Sequence, residues 1–131
     1  WEDLTDSTIE HILPQNPDAN SNWLSKWTDE ERKKFIHDIS NLVLTKDNSR
    51  YSNFEFGRKK GIAGSGFSYS NSDIRQERKI AEFDDWTPVS LNKRREELTG
   101  WIIDNWGIDI HFQPPTDDIL EEDELIFNDI D

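Results

Sequence analysis

Thr8-Ile9-Glu10-His11-Ile12-Leu13-Pro14 sets a carboxylate and an imidazole side by side inside a short apolar run. β-Branched Thr8, Ile9 and Ile12 predict a strand over residues 8–13. Side chains alternate along a strand, so His11 projects from one face while Glu10 and Ile12 point to the other. Pro14 ends the run, because it lacks a ladder donor and restricts the residue before it. A titratable pair at a strand end beside a loop suits catalysis, although most histidines near apolar residues are structural. The rest of the chain decides between the two.

Downstream, residues 14–22 hold two prolines and three asparagines and read as a loop. Trp23 and Trp27 share a helical face and are expected in the core. Thr28-Asp29-Glu30-Glu31 has the form of a capping box. It predicts a helix to about Ile39, with Phe35, Ile36 and Ile39 inward. Arg32, Lys33 and Lys34 would lie on its other side, either as a solvated face or as a contact for DNA phosphates. A second strand is expected over residues 40–45, followed by a polar turn over 46–53. A short helix over 54–60 would turn Phe54 inward and Arg58, Lys59 and Lys60 outward. Three glycines in residues 61–66 predict a mobile loop, after which Phe67 and Tyr69 re-enter the core.

Ser72 or Asp73 can cap a helix reaching Phe83, with Ile74, Ile80 and Phe83 apolar. Thr87-Pro88 marks another helix start, a hydroxyl cap followed by proline at the first position. That helix is expected to run to Trp106, with Leu91, Leu98, Trp101, Ile102 and Trp106 buried and Gly107 as a left-handed terminator. A last strand is read over 108–112. Pro114-Pro115 separates a compact domain, residues 1–112, from an acidic tail or linker, residues 113–131.

The chain of 131 residues is long enough for one domain with a core of its own. It has no methionine and starts at Trp1, which predicts a fragment cut from a longer protein. The absence of cysteine excludes disulfides, thiolate zinc sites and cysteine nucleophiles. No run reaches transmembrane length, so no membrane partner is expected. The net charge of −13 argues at first against nucleic acid. However, residues 110–131 carry eight acids and no Lys or Arg, while residues 1–60 carry eleven acids and nine bases. Most of the negative charge therefore lies away from the Glu-His stretch.

Strand with Glu-His, strand with Asn-Leu, asparagine-rich turn and basic helix form a chemically meaningful order. Phosphodiester hydrolysis needs a base for water and a cation for the charge that builds on phosphate. An imidazole suits the first task. A hard divalent ion with oxygen ligands suits the second.

Three segments resemble the HNH (His-Me finger, ββα-metal) nuclease domain at the C-terminal end of GmrSD-type modification-dependent restriction endonucleases. These are Thr8-Ile-Glu-His-Ile-Leu-Pro-Gln15, Ser40-Asn-Leu-Val-Leu-Thr45 and Asn48-Ser-Arg-Tyr-Ser-Asn-Phe-Glu-Phe-Gly-Arg-Lys-Lys60. Trp86-Thr-Pro-Val-Ser-Leu-Asn-Lys-Arg-Arg95, Leu98 and Trp106 resemble the closing helix of that family. The resemblance implies an α+β fold, a ββα-metal core with additional C-terminal helices. It implies a catalytic set of His11, Asn41 and Asn48, in which His11 is the general base and Asn41 ties the loop together. The implied metal ligands are Glu10, Asn48 and Asn53, holding one divalent ion, Mg²⁺ or Mn²⁺. Which asparagine faces the metal stays open. Two departures stand out: Asp-His is the commoner pair in HNH enzymes, and the Asn41 to Asn48 segment is short.

The implied function is a metal-dependent DNA endonuclease or nickase in a bacterial, cytoplasmic restriction or anti-phage protein. Its DNA, modified or not, would meet Arg32, Lys33, Lys34, Arg58, Lys59 and Lys60. An N-terminal sensor or NTPase domain would belong to the same protein, and a homodimer would supply the two sites of a double-strand cut. The alternatives are a catalytically inactive HNH-like module that binds DNA or protein, and an interaction domain regulated by its acidic tail. His37 and His111 read as structural or surface residues.

Overall fold

The computed structural model describes residues 7–107. The expected strand over 108–112, His111 and the acidic tail lie outside the described residues. By contacts the chain divides into two units, Trp1–Leu98 and Thr99–Asp131.

The first unit is built on a two-stranded antiparallel sheet, β1 (Thr8–His11) and β2 (Leu42–Thr45). Glu10 pairs with Val43 and His11 with Leu42. The Glu10–Val43 pair is buried, whereas Ile9 and Leu44 face solvent. β1 is shorter than expected because Ile12 and Leu13 leave the ladder for contacts of their own.

Between the strands lie α1 (Trp23–Lys26) and α2 (Asp29–Phe35). The capping box forms: Thr28 Oγ1 accepts from Glu31 N, and the Glu31 carboxylate accepts from Thr28 N. α2 stops before the expected Ile39. The Asp38 carboxylate accepts from Ser40 N at 2.9 Å and starts a 3-10 turn, Ile39–Asn41, instead. An aspartate that caps the next turn competes with continuation of the helix before it.

After β2, a 3-10 turn (Asn48–Arg50) leads to α3 (Phe56–Lys60). Phe56, rather than Phe54, is the fully buried anchor. α3 ends at Gly61, whose φ of 67° favours glycine, and a Cβ there would lie 2.3 Å from Ser68 Cβ. A 3-10 turn at Tyr69–Asn71 and α4 (Arg75–Ile80) follow. The last element, α5 (Pro88–Trp106), runs as expected and ends at Gly107, with φ 53°. Its buried stripe differs from the expected one. Leu91 and Arg94 are buried, while Trp101 and Trp106 are 55% and 73% exposed.

The core gathers Ile12, Leu13, Trp23, Trp27, Phe35, Val43, Tyr51, Phe56, Tyr69, Ile80, Trp86 and Leu91. Its buried indoles have partners for their N–H groups, as burial requires. Trp23 Nε1 donates to Phe54 O at 3.2 Å, and Trp27 Nε1 to Trp86 O at 3.0 Å. No described helix is long and apolar enough to cross a membrane.

Candidate active site

The segment after His11 is fastened by two buried polar side chains. The first is Asn41. Its Oδ1 accepts from Leu13 N at 2.9 Å and Trp86 Nε1 at 3.1 Å. Its Nδ2 donates to Leu13 O and Ile36 O, each at 3.0 Å. Its main-chain carbonyl accepts from Ile12 N at 2.9 Å. A primary amide offers two donors and two acceptor positions, and all are taken. Asn41 therefore clips the loop and has no capacity left for water, substrate or metal. Within the implied catalytic set, Asn41 was expected to tie the loop together rather than to act on substrate.

The second is Lys59, 1% exposed. Its ammonium donates to Glu10 Oε1 at 2.5 Å, His11 O at 3.0 Å and Ile12 O at 3.1 Å. These contacts match the three donors of the group. Lys59 thus cannot meet DNA, and the outward placement expected for it is wrong. On α3 it faces the sheet and pins two successive main-chain carbonyls, those of His11 and Ile12. Lys60 is also occupied: it is half-buried and donates to Phe83 O at 2.9 Å. Of the three basic residues on α3, only Arg58 is exposed.

Glu10 is 2% exposed and lies on the inward face. Besides Lys59, its Oε1 accepts from Tyr69 OH at 2.9 Å. Burial pushes the Glu10 carboxyl above the usual glutamate range, with Lys59 and Tyr69 opposing the rise. Burial likewise pulls the Lys59 ammonium below the usual lysine range. A metal ligand needs an oxygen open to the ion, and this carboxyl is buried and engaged. Glu10 as placed does not fit the ligand role that the resemblance implies.

Strand alternation turns His11 the other way, and it is half-buried. Its Nε2 lies 3.0 Å from Gln15 Nε2 and 3.2 Å from His37 Nδ1. The two imidazoles meet edge to face, with centroids 5.3 Å apart. An amide nitrogen can only donate, so with Gln15 in this orientation Nε2 is the unprotonated nitrogen. Burial holds the His11 imidazole below its ordinary range, and the neighbouring charges of His37 and Lys59 lower it further. The ring is thus kept neutral, the form a general base requires.

In the sequence Gln15 had no assigned role and His37 read as a structural or surface residue. Gln15 lies four residues after His11 in the same stretch, close enough in sequence to carry a signal. His37 carries no such signal, because only the turn after α2 brings it to His11.

Asn48 is exposed, on a turn that packs against β1. Asn53 is half-buried and follows Ser52, whose φ is 45°. Neither asparagine side chain has a hydrogen bond among the described residues. No group of three or more His, Cys, Asp or Glu is placed to hold a metal among those residues. On the basic helix, Lys33 and Lys34 are exposed, whereas Arg32 is half-buried and pairs with Asp29. Arg32 and Lys33 share a shallow recess with Gln15, Asp29 and Ile36, so part of the positive face adjoins the His11 side chain's partner.

Compared with known families, the chain matches over residues 2–101 the family described as GmrSD restriction endonucleases, C-terminal domain. No curated protein and no solved structure matches it.

Proposed function

The chain belongs to the family of GmrSD restriction endonuclease C-terminal domains, and from that premise we propose that it is a DNA endonuclease or nickase with His11 as general base. The ββα-metal core belongs to the same proposal, with β1, β2 and α3 as its three elements. The observation that carries the reading is the setting of His11. Lys59 holds its carbonyl, Asn41 fixes the two residues that follow, and its ring is kept neutral near the basic residues of α2. His11 would take a proton from water as the water oxygen attacks phosphorus. The bond to the leaving oxygen breaks, and that oxygen takes a proton from solvent. Lys33 and Lys34 would hold the strand by its phosphates.

A divalent ion, Mg²⁺ or Mn²⁺, is part of the family reading. Its charge would offset that developing on the phosphate. Asn48 and Asn53 are the oxygen donors left to hold it once Glu10 is spent on Lys59. Two neutral amide oxygens alone would hold a divalent ion weakly. DNA specificity would come from other parts of the protein.

Plasmid cleavage by the 131-residue chain tests the proposal. Nicking in Mg²⁺ or Mn²⁺ that stops with EDTA and with His11→Ala is the expected result. Equal cutting by His11→Ala would overturn the role of His11. Linear product, rather than nicks alone, would indicate two sites acting together, as a homodimer provides. The second reading is an inactive module that binds DNA or protein, favoured by the engagement of Glu10 with Lys59. DNA binding with no cutting in either ion would establish it over the first.

A further inference from the structure

Away from His11, the turn that carries Asn48 opens onto a recess lined by Ser49, Arg50, Tyr51, Phe54, Arg58 and Phe67, with a volume of about 360 Å³. Arg50 and Arg58 are both exposed, and each guanidinium lies over an aromatic ring. Arg50 Cζ is 4.2 Å from the Phe67 centroid, and Arg58 Cζ is 3.4 Å from that of Phe54. Among the described residues, neither arginine side chain has an acidic partner or a hydrogen bond. In a chain of net charge −13, two guanidiniums without carboxylates in one recess call for an explanation. Solubility does not supply one, since isolated surface arginines need no aromatic beneath them.

Stacking on a ring orients a guanidinium at little entropic cost and leaves its N–H edges free. Those edges match the oxygens of a phosphate, which arginine takes in a two-pronged grip. The ring beneath Arg50 is itself backed by the buried Tyr51, with centroids 4.9 Å apart, so that part of the platform is anchored in the core. We propose that this recess holds a backbone phosphodiester of the DNA strand between Arg50 and Arg58. The inference rests on the DNA-cleaving reading and deepens it. It adds Arg50, Phe54 and Phe67 to the DNA-contacting surface.

The test separates binding from chemistry. The 131-residue chain carrying His11→Ala is titrated onto a fluorescein-labelled DNA duplex in EDTA, with anisotropy followed over a range of salt. Adding Arg50→Gln and Arg58→Gln is expected to raise Kd about tenfold or more. The slope of log Kd against log salt should fall by about 1 to 2. Unchanged affinity and slope would overturn the recess while leaving the nuclease reading intact. A parent chain that neither binds nor cuts DNA would overturn both.

Arg50→Lys with Arg58→Lys keeps the charge and guards against a folding artefact. These lysines should restore the salt slope but not the affinity, and full recovery of both would overturn the stacked grip. Inorganic phosphate at matched ionic strength should leave DNA bound. Displacement that requires both arginines would assign the recess to free phosphate instead.

Discussion

Lys59 Nζ meets Glu10 Oε1 at 2.5 Å, joining residues 49 positions apart with both side chains withdrawn from solvent. The ammonium also holds the two carbonyls beside His11, so one buried cation neutralises a carboxylate and shapes the site. Burying such a pair yields little net stability, but breaking it strands a charge. Lys59→Met should lower the unfolding free energy by about 3–5 kcal/mol in urea titration. Glu10→Gln in the same background should recover part of that loss, because the stranded carboxylate is gone. A Lys59→Met domain as stable as its parent would show that the pair is not buried in solution.

With His11 as the proposed base, the pH dependence of cleavage follows from its titration. A base works when unprotonated, so activity should rise with pH through the folded pKa of His11, which lies below its ordinary 6.5. His37 lowers that pKa, so His37→Ala should raise it and move the rising limb to higher pH. The rate on the plateau should change much less than the position of the limb. His11→Ala should lose about 10²–10⁴ in rate on the plateau, where the imidazole is unprotonated. A limb that stays put in His37→Ala would disconnect the two imidazoles.

Asn41→Ala leaves Leu13 N, Leu13 O, Ile36 O and Trp86 Nε1 without the partner they have now. Each buried orphan costs about 1–3 kcal/mol, partly offset by relaxation and water. We expect a loss large enough to unfold much of the domain near physiological temperature. Asn41→Asp keeps the acceptor for Leu13 and Trp86 but forfeits both donors, and should fall between the two in thermal melts. Cleavage by any folded fraction should persist, because the amide is a clip. Full stability with lost activity would return Asn41 to the chemistry.

Two glycines with positive φ should respond differently. Gly61→Ala faces strained backbone and the Ser68 Cβ, and is expected to cost about 2–3 kcal/mol. Gly64, at φ 81°, has open space around it, so Gly64→Ala should cost about 1 kcal/mol. Chemical denaturation of the two variants side by side would check the order, and equal costs would contradict the Ser68 contact.

Local signals were legible where neighbours in sequence do the work. The capping box at Thr28, the proline start of α5 and the terminator Gly107 depend on a few adjacent residues. Strand alternation also gave the opposite facings of Glu10 and His11. Assigning both to one metal edge ran against that alternation. The basic run Arg58-Lys59-Lys60 misled for a related reason. Successive residues on a helix differ by about 100°, so three in a row cannot share an outward face. One of them had to turn inward, and Lys59 did. Arg94 was hidden because its partners, Ser40 O and Leu42 O, are distant in sequence. His37 was hidden likewise, since only tertiary folding sets it against His11.

The Asn41 clip has a consequence for how the protein is made. It joins Leu13 to Trp86, and the Trp86 carbonyl receives the indole of Trp27. A ribosome therefore releases the His11 turn long before the indole that secures it. The turn after His11 cannot lock fully until Trp86 has emerged, so nascent chains and chains ended before Trp86 leave the Asn41 clip one donor short.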